Sequence, residues 1–332
     1  SLSPTIRSRQ LRLLLSLNNA YFCKILRNGI FLRHLIKYIV ILLAVVTVSN
    51  AQNDGAGNTG LAFLKLGITS RSIAMGEAVV GNSFDASATH YNPAALFNGS
   101  KVNMVFMHNE QVLGVRTEFL AGKVKFNKLA LGFSLNNTSV DNIEVREIPG
   151  SSIGEFTAQN FAMGVSLGYK VNENLSVGLT GKFLFEKIYV DNASGVALDL
   201  GGLYAKDKFT LGAAITNLGS MSQLRNESTK LPSAIRFGGS YYFDLLGISS
   251  RLIVAADGYK VMDGGKFHAN TGAELLYKDF LALRVGYQSG YENKSIAAGI
   301  GLKYKAFALD YAFVPYKYSL GSSHTITLGT NF

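Results

Sequence analysis

The sequence predicts an all-β chain, a transmembrane antiparallel β-barrel of about fourteen strands with an N-terminal helix-and-turn plug. Three observations carry this reading. From Lys101 to Phe332, hydrophobicity alternates with period 2 in segments of roughly ten residues, the length of a tilted membrane strand. The face opposite the apolar one is built from Gly, Ala, Ser and Thr with isolated charges, not from the dense charge of a solvated sheet. Short and longer connections alternate along the chain, as in outer-membrane barrels with short periplasmic turns and longer external loops. Composition agrees: charged residues are 16%, and there are 35 Gly but only 5 Pro in 332 residues, which excludes disorder and collagen-like repeats.

Residues 1–51 read as a leader. Seven of the 32 basic residues and none of the 22 acidic ones lie there, so the remainder keeps 25 against 22, a net of +3 instead of +10. Within it, residues 33–51 form a signal peptide: a basic start at Arg33–Lys37, an apolar Tyr38–Val48, and small residues at Ser49 and Ala51 before Gln52. The apolar run is too short to remain in a bilayer. Residues 1–32 read as sequence upstream of the true start, or as a long basic pre-sequence. At +3 no case remains for nucleic acid. The single cysteine, Cys23, leaves with the leader, so the exported chain uses no disulfide and no Cys-built metal site.

Residues 52–100 do not alternate. Leu61–Ile68 reads as a short strand. Asp85 is the expected N-cap of a helix over Ala86–Tyr91, Asn92-Pro93 opens a second short helix, and Asn98-Gly99 stops it. A compact segment ahead of a barrel with a small-residue lumen is expected to plug it; a periplasmic cap outside the barrel is the competing placement.

Residues 101–332 supply the strands. The clearest are Ser295–Tyr304 (Ile296, Ala298, Ile300, Leu302 and Tyr304 on one face), Phe307–Phe313 and Leu281–Tyr287. Tight turns are expected near Asn127, Val171–Asn174, Lys206-Asp207, Lys278-Asp279 and Lys305-Ala306, and long loops over Asn137–Gln159 and Leu218–Pro232. The closing strand ends in Phe332, and a terminal aromatic is what the barrel assembly machinery recognises.

The sequence carries little support for catalytic or metal chemistry. Gly164-Val165-Ser166-Leu167-Gly168 matches a nucleophile-elbow pattern, but Ser166 falls mid-strand with no helix after it. His90, His108, His268 and His324 lie on separate elements without metal-binding spacing. No catalytic residue, cofactor or metal is expected. The lumen face carries Lys182, Arg236, Arg251, Arg284 and Lys303 against Glu186, Asp199, Asp257, Glu274 and Asp310. Equal numbers of the two signs point to an internally paired network and not to an ion-selective ring. Arg71, in the plug, is a candidate partner for one of the lumen acids.

Leu64–Gly67, Arg71, Ala74-Met75-Gly76-Glu77-Ala78, Asp85–Ala88 and Asn92-Pro93-Ala94-Ala95-Leu96 resemble the N-terminal signature of the PorV/PorQ family, outer-membrane proteins related to the FadL fatty-acid channel. Leu309–Tyr316 and the His-containing last strand are similar to that family as well. The resemblance covers about residues 60–332 and implies a fourteen-stranded barrel in the outer membrane of a Gram-negative, Bacteroidetes-like bacterium. It also implies a non-enzymatic role in type IX secretion, with a translocon and cargo C-terminal domains as partners beside outer-membrane lipid. Arg71, Met75, Gly76, Asp85, Asn92 and Pro93 are its candidate plug residues. The alternative is a FadL-like transporter of hydrophobic small molecules.

Overall fold

The computed structural model describes residues 57–146 and 148–332; the leader and residues 52–56 lie outside them. Fourteen antiparallel strands close into a barrel. They are β1 (Val102–Glu110), β2 (Val115–Lys125), β3 (Leu129–Val145), β4 (Gly154–Lys170), β5 (Leu175–Ile188), β6 (Asp191–Lys206) and β7 (Phe209–Met221), then β10 (Ala234–Leu245), β11 (Ser250–Val261), β12 (Phe267–Tyr277), β13 (Leu281–Ser289), β14 (Ile296–Tyr304), β15 (Phe307–Pro315) and β16 (Ser322–Asn331). A small hairpin, β8 (Gln223–Leu224) with β9 (Glu227–Ser228), sits in the loop between β7 and β10. Each barrel strand pairs with its sequence neighbour, and β1 pairs with β16 to close the ring, with Phe106 opposite Leu328. Val102 and Phe332 exchange both backbone hydrogen bonds at 2.9 Å, so the terminal aromatic is tied into the seam while its side chain stays exposed.

The alternation read from the sequence is the in–out alternation of the wall. Along β13, Leu283, Val285 and Tyr287 are exposed while Ala282, Arg284, Gly286 and Gln288 are buried. Apolar side chains exposed on every strand would be a liability in water; on a closed barrel they meet lipid.

One mouth carries the turns of two to four residues and both ends of the barrel sheet; the other carries connections of up to twelve residues. By the outer-membrane rule the first mouth is periplasmic. Two expected loops are shorter than the sequence suggests. β3 and β4 are 17 residues each and pair out to Val145 and Gly154, so most of Asn137–Gln159 is strand. At about 3.4 Å per residue they extend well past the roughly 9–11 residues a bilayer needs. Beyond lipid both faces are wet, so pairing continues after the hydrophobic period has vanished. Likewise β7 continues to Met221 and the hairpin occupies part of Leu218–Pro232. The β5–β6 connection on this loop side is only Tyr189-Val190.

The plug differs locally from expectation. Leu61–Ile68 is not a strand: Ala62–Lys65 form a 3₁₀ turn after Leu61 in the left-handed region. Helix α1 spans Ser70–Ala74, with the Thr69 side chain accepting from the Ser72 N–H, and α2 spans Ala88–Tyr91. Asp85 accepts the Ser87 N–H at 2.9 Å and shapes the turn before α2 instead of capping a helix at Ala86. Asn92 does cap the next element: its side chain accepts the Ala94 N–H at 3.0 Å and Pro93 begins the 3₁₀ turn Pro93–Phe97.

Candidate functional site

The plug runs through the lumen from one mouth to the other. It starts at the loop mouth, where the Gly60 N–H donates to the Lys230 carbonyl at 3.0 Å and Leu61, Phe63 and Leu64 pack on Ala193, Met221 and Leu231. It ends at the periplasmic mouth, where Lys125 Nζ donates to the Phe97 carbonyl at 2.8 Å. Between these, Ile68, Met75, Val79, Val80, Asn92 and Ala94 are fully buried.

Glycine makes this fit possible. A Cβ at wall residues Gly178, Gly201, Gly212, Gly272 or Gly286 would lie 2.0–2.4 Å from plug atoms of Pro93, Asn92, Val80, Met75 and Gly76 respectively. Gly76 itself has φ +62° and sits against the backbone of β12 and β13, a position that favours a residue without a side chain.

Three polar clusters fix the plug to the wall. In the first, Arg71 forms a fork on Glu274, Nε to Oε2 at 3.0 Å and Nη2 to Oε1 at 3.2 Å. Its remaining donors reach the Asn82 backbone and side-chain oxygens, both at 2.9 Å. Arg284 holds the same Glu274 oxygen at 2.5 Å and Asp310 at 2.6 Å. Two guanidiniums and two carboxylates thus balance, every one of them largely buried, the condition under which bidentate charge-assisted bonds are strong.

In the second cluster, at the loop mouth, plug residue Glu77 receives Lys294 at 3.2 Å and Gln288 at 3.1 Å, with Arg236 at 3.8 Å. Arg236 also donates to the Glu77 carbonyl at 2.7 Å and stacks on the Tyr259 ring at 4.5 Å. In the third, Asp257 Oδ2 accepts the N–H groups of Val79 and Val80 at 2.7 and 2.8 Å. Asp257→Ala leaves both donors buried without their partner, so we expect a loss of about 1–3 kcal/mol. It is read as a lower temperature for converting the folded electrophoretic band to the unfolded one, with Asp257→Glu closer to the parent.

The ten wall charges therefore form no single five-against-five network. Glu274 meets Arg71 and also holds Arg284, which carries Asp310; Asp257 meets the plug backbone, and Arg236 meets both the backbone and the carboxylate of Glu77. Lys182 pairs with Asp199 at 2.6 Å, and both bind Asn217. Arg251 pairs instead with Asp244 at 3.3 Å, on the ring of Tyr242. Lys303 lies exposed near it at the periplasmic mouth, and Glu186 is buried on the loop-mouth half of β5. Sequence reasoning missed Glu77, Asn82, Gln288 and Lys294 as members. The available signal was Glu77, an acid inside an apolar motif.

A cavity of about 380 Å³ opens below the plug and is lined by Arg71, Phe84, Tyr242, Arg251, Glu274, Asp279, Lys303 and Asp310 among others. Two pockets of about 20 and 30 Å³ border Glu77 above it, each with room for about one or two waters. They share no lining residue with the large cavity. An apolar groove of about 470 Å³ faces lipid between Met104, Phe106, Leu302, Phe307 and Leu328, and it shares the wall residues Val105, Ala308 and Gly329 with the large cavity. Ser166 is buried mid-strand in β4, its hydroxyl 2.7 Å from that of Thr180.

Among solved structures the chain is similar to the toluene transporter TodX of Pseudomonas putida, at 14% identity and TM-score 0.60, covering 80% of this chain and 98% of that one. It is also similar to the CymD monoaromatic hydrocarbon channel, at 12% identity and TM-score 0.55, covering 82% of this chain and 99% of that one. At such identities the likeness concerns the fold alone, a closed antiparallel β-barrel. No curated protein matches the chain. A family model, "Type IX secretion system membrane protein PorP/SprF", matches residues 77–330, from within the plug to the penultimate residues of the closing strand, and the chain belongs to that family.

Proposed function

We propose that this barrel is a non-enzymatic outer-membrane component of type IX protein secretion, acting through its surface on a translocon or on cargo C-terminal domains, and not through an open lumen. The observation that carries the reading is the plug: its backbone lies in direct contact with wall glycines and its charges are matched in buried clusters at both ends. A conduit would place its polar groups along a continuous path, whereas the large cavity and the small pockets on the other side of this plug share no lining residue. Membership of the PorP/SprF family supplies the secretion context. The motif resemblance to PorV/PorQ supports the narrower role of a cargo-handling partner in a Bacteroidetes-like bacterium.

The second reading is transport of a hydrophobic small molecule, favoured by the apolar groove on the lipid face. Recovery of the tagged protein in mild detergent, with mass spectrometry of both proteins and lipids, separates the two. Co-recovery of a large translocon barrel or of secreted cargo is expected. Recovery of a bound apolar molecule with no secretion protein would replace the first reading by the second.

A further inference from the structure

The direction in which the plug is threaded has a consequence for where the chain starts. The first described residues, Gly57 to Gly60, lie at the mouth opposite Phe332. Gly60 is hydrogen-bonded to Lys230 in the connection before β10. Asn58 lies against Gly264 in the β11–β12 connection, its Nδ2 only 2.5 Å from where a Cβ on that glycine would stand. The next residues, Leu61, Phe63 and Leu64, pack on the loop-mouth ends of β6 and β7 through Ala193 and Met221. Three separate contacts thus hold this end of the plug at the outer rim, while its other end, at Phe97 to Gly99, is gripped by Lys125 at the periplasmic mouth.

We propose that the amino-terminal end of the exported chain is presented on the cell's outer surface, although the sheet begins and ends on the periplasmic side. With a leader ending at Ala51, five residues precede Gly57. Fully extended they span at most about 18 Å, less than the roughly 25 Å apolar band of an outer-membrane barrel, and the lumen they would have to re-enter is filled by the plug. The start of the chain is then reachable from outside by an extracellular protein, and a fusion placed there would be displayed. The inference goes beyond the proposed secretion role and rests on the outer-membrane orientation and on a leader that ends at Ala51.

The test uses the absence of cysteine outside the leader. In a Cys23→Ser background the full chain carries Asn58→Cys, with Thr59→Cys as a second reporter. Asn226→Cys in the β8–β9 hairpin marks the outside and Glu173→Cys in the β4–β5 turn marks the periplasm. Each variant is first checked for the folded electrophoretic band. Intact cells are treated with a membrane-impermeant maleimide, then compared with cells whose outer membrane has been opened. Asn58→Cys and Thr59→Cys are expected to label in intact cells as fully as Asn226→Cys, with Glu173→Cys at background until the membrane is opened. If the two reporters follow Glu173→Cys, or if Asn226→Cys itself is protected, the proposal is overturned.

Discussion

Glu274→Gln is expected to loosen the plug more than any other single change in the first cluster. The substitution preserves shape but leaves Arg71 and Arg284 as buried cations on a neutral amide, with Asp310 the one carboxylate left to Arg284, and the Asn82 oxygens and the Phe84 ring left to Arg71. Breaking a buried pair by removing one partner costs about 3–5 kcal/mol, and the lower part of that range applies because the cluster borders the 380 Å³ cavity, where water can approach. Arg71→Ala removes a partner from the same carboxylate, yet Arg284 still holds Glu274, so its effect is expected to be smaller. The measurement is the temperature at which the folded band converts in gels, together with leakage of a small solute through reconstituted vesicles. An Arg71→Ala barrel less stable than the Glu274→Gln one would remove Glu274 from the centre of the cluster.

Gly286→Val should produce the second large effect, by sterics alone. A Cβ there would stand 2.0 Å from Gly76 N and 2.6 Å from its Cα, and these are backbone atoms that cannot rotate away. Overpacking costs about 1–3 kcal/mol in ordinary cores and occasionally more; here the plug backbone must shift bodily, so the upper end of that range and increased leakage are expected. Gly181→Val is the matched control, since a Cβ at Gly181 meets nothing within 4 Å. Equal behaviour of the two variants would mean that the wall does not grip the plug through its glycines.

The barrel was legible because lipid enforces the rule that was read: one face apolar, the other small or polar, for as long as the strand is in the membrane. β13 follows it from Ala282 to Gln288 without exception. The rule loses force where lipid ends, and that is where β3 and β4 outran the expected loop boundary, through a register shift between Val140 and Ile143. The site was less legible than the wall. Arg71 and Glu274 are 203 residues apart, and nothing local encodes which wall acid a plug cation will meet. The charge pattern sets Asp257 against the lumen cations, whereas its nearest partners are two backbone N–H groups, which a count of charges does not see. Leu61–Ile68 looked like a strand because short apolar runs are ambiguous in period; the left-handed Leu61 and the 3₁₀ turn after it come from docking at the rim.

The threading of the plug also favours one order of assembly. Ser70 of α1 is held by Thr325 and Thr327 of β16 across more than 250 residues, so the strand that completes the ring is also the one that clasps the plug. Contacts this distant in sequence are slow to form, because the loop entropy comes first and the reward last. A ring closed beforehand would have to admit the plug end-on, drawing Gly57 to Gly60 along a lumen lined by Arg71's eventual partners. Wrapping the sheet around a segment already in place avoids that passage, and makes β1–β16 pairing the step that turns an open sheet into a locked vessel.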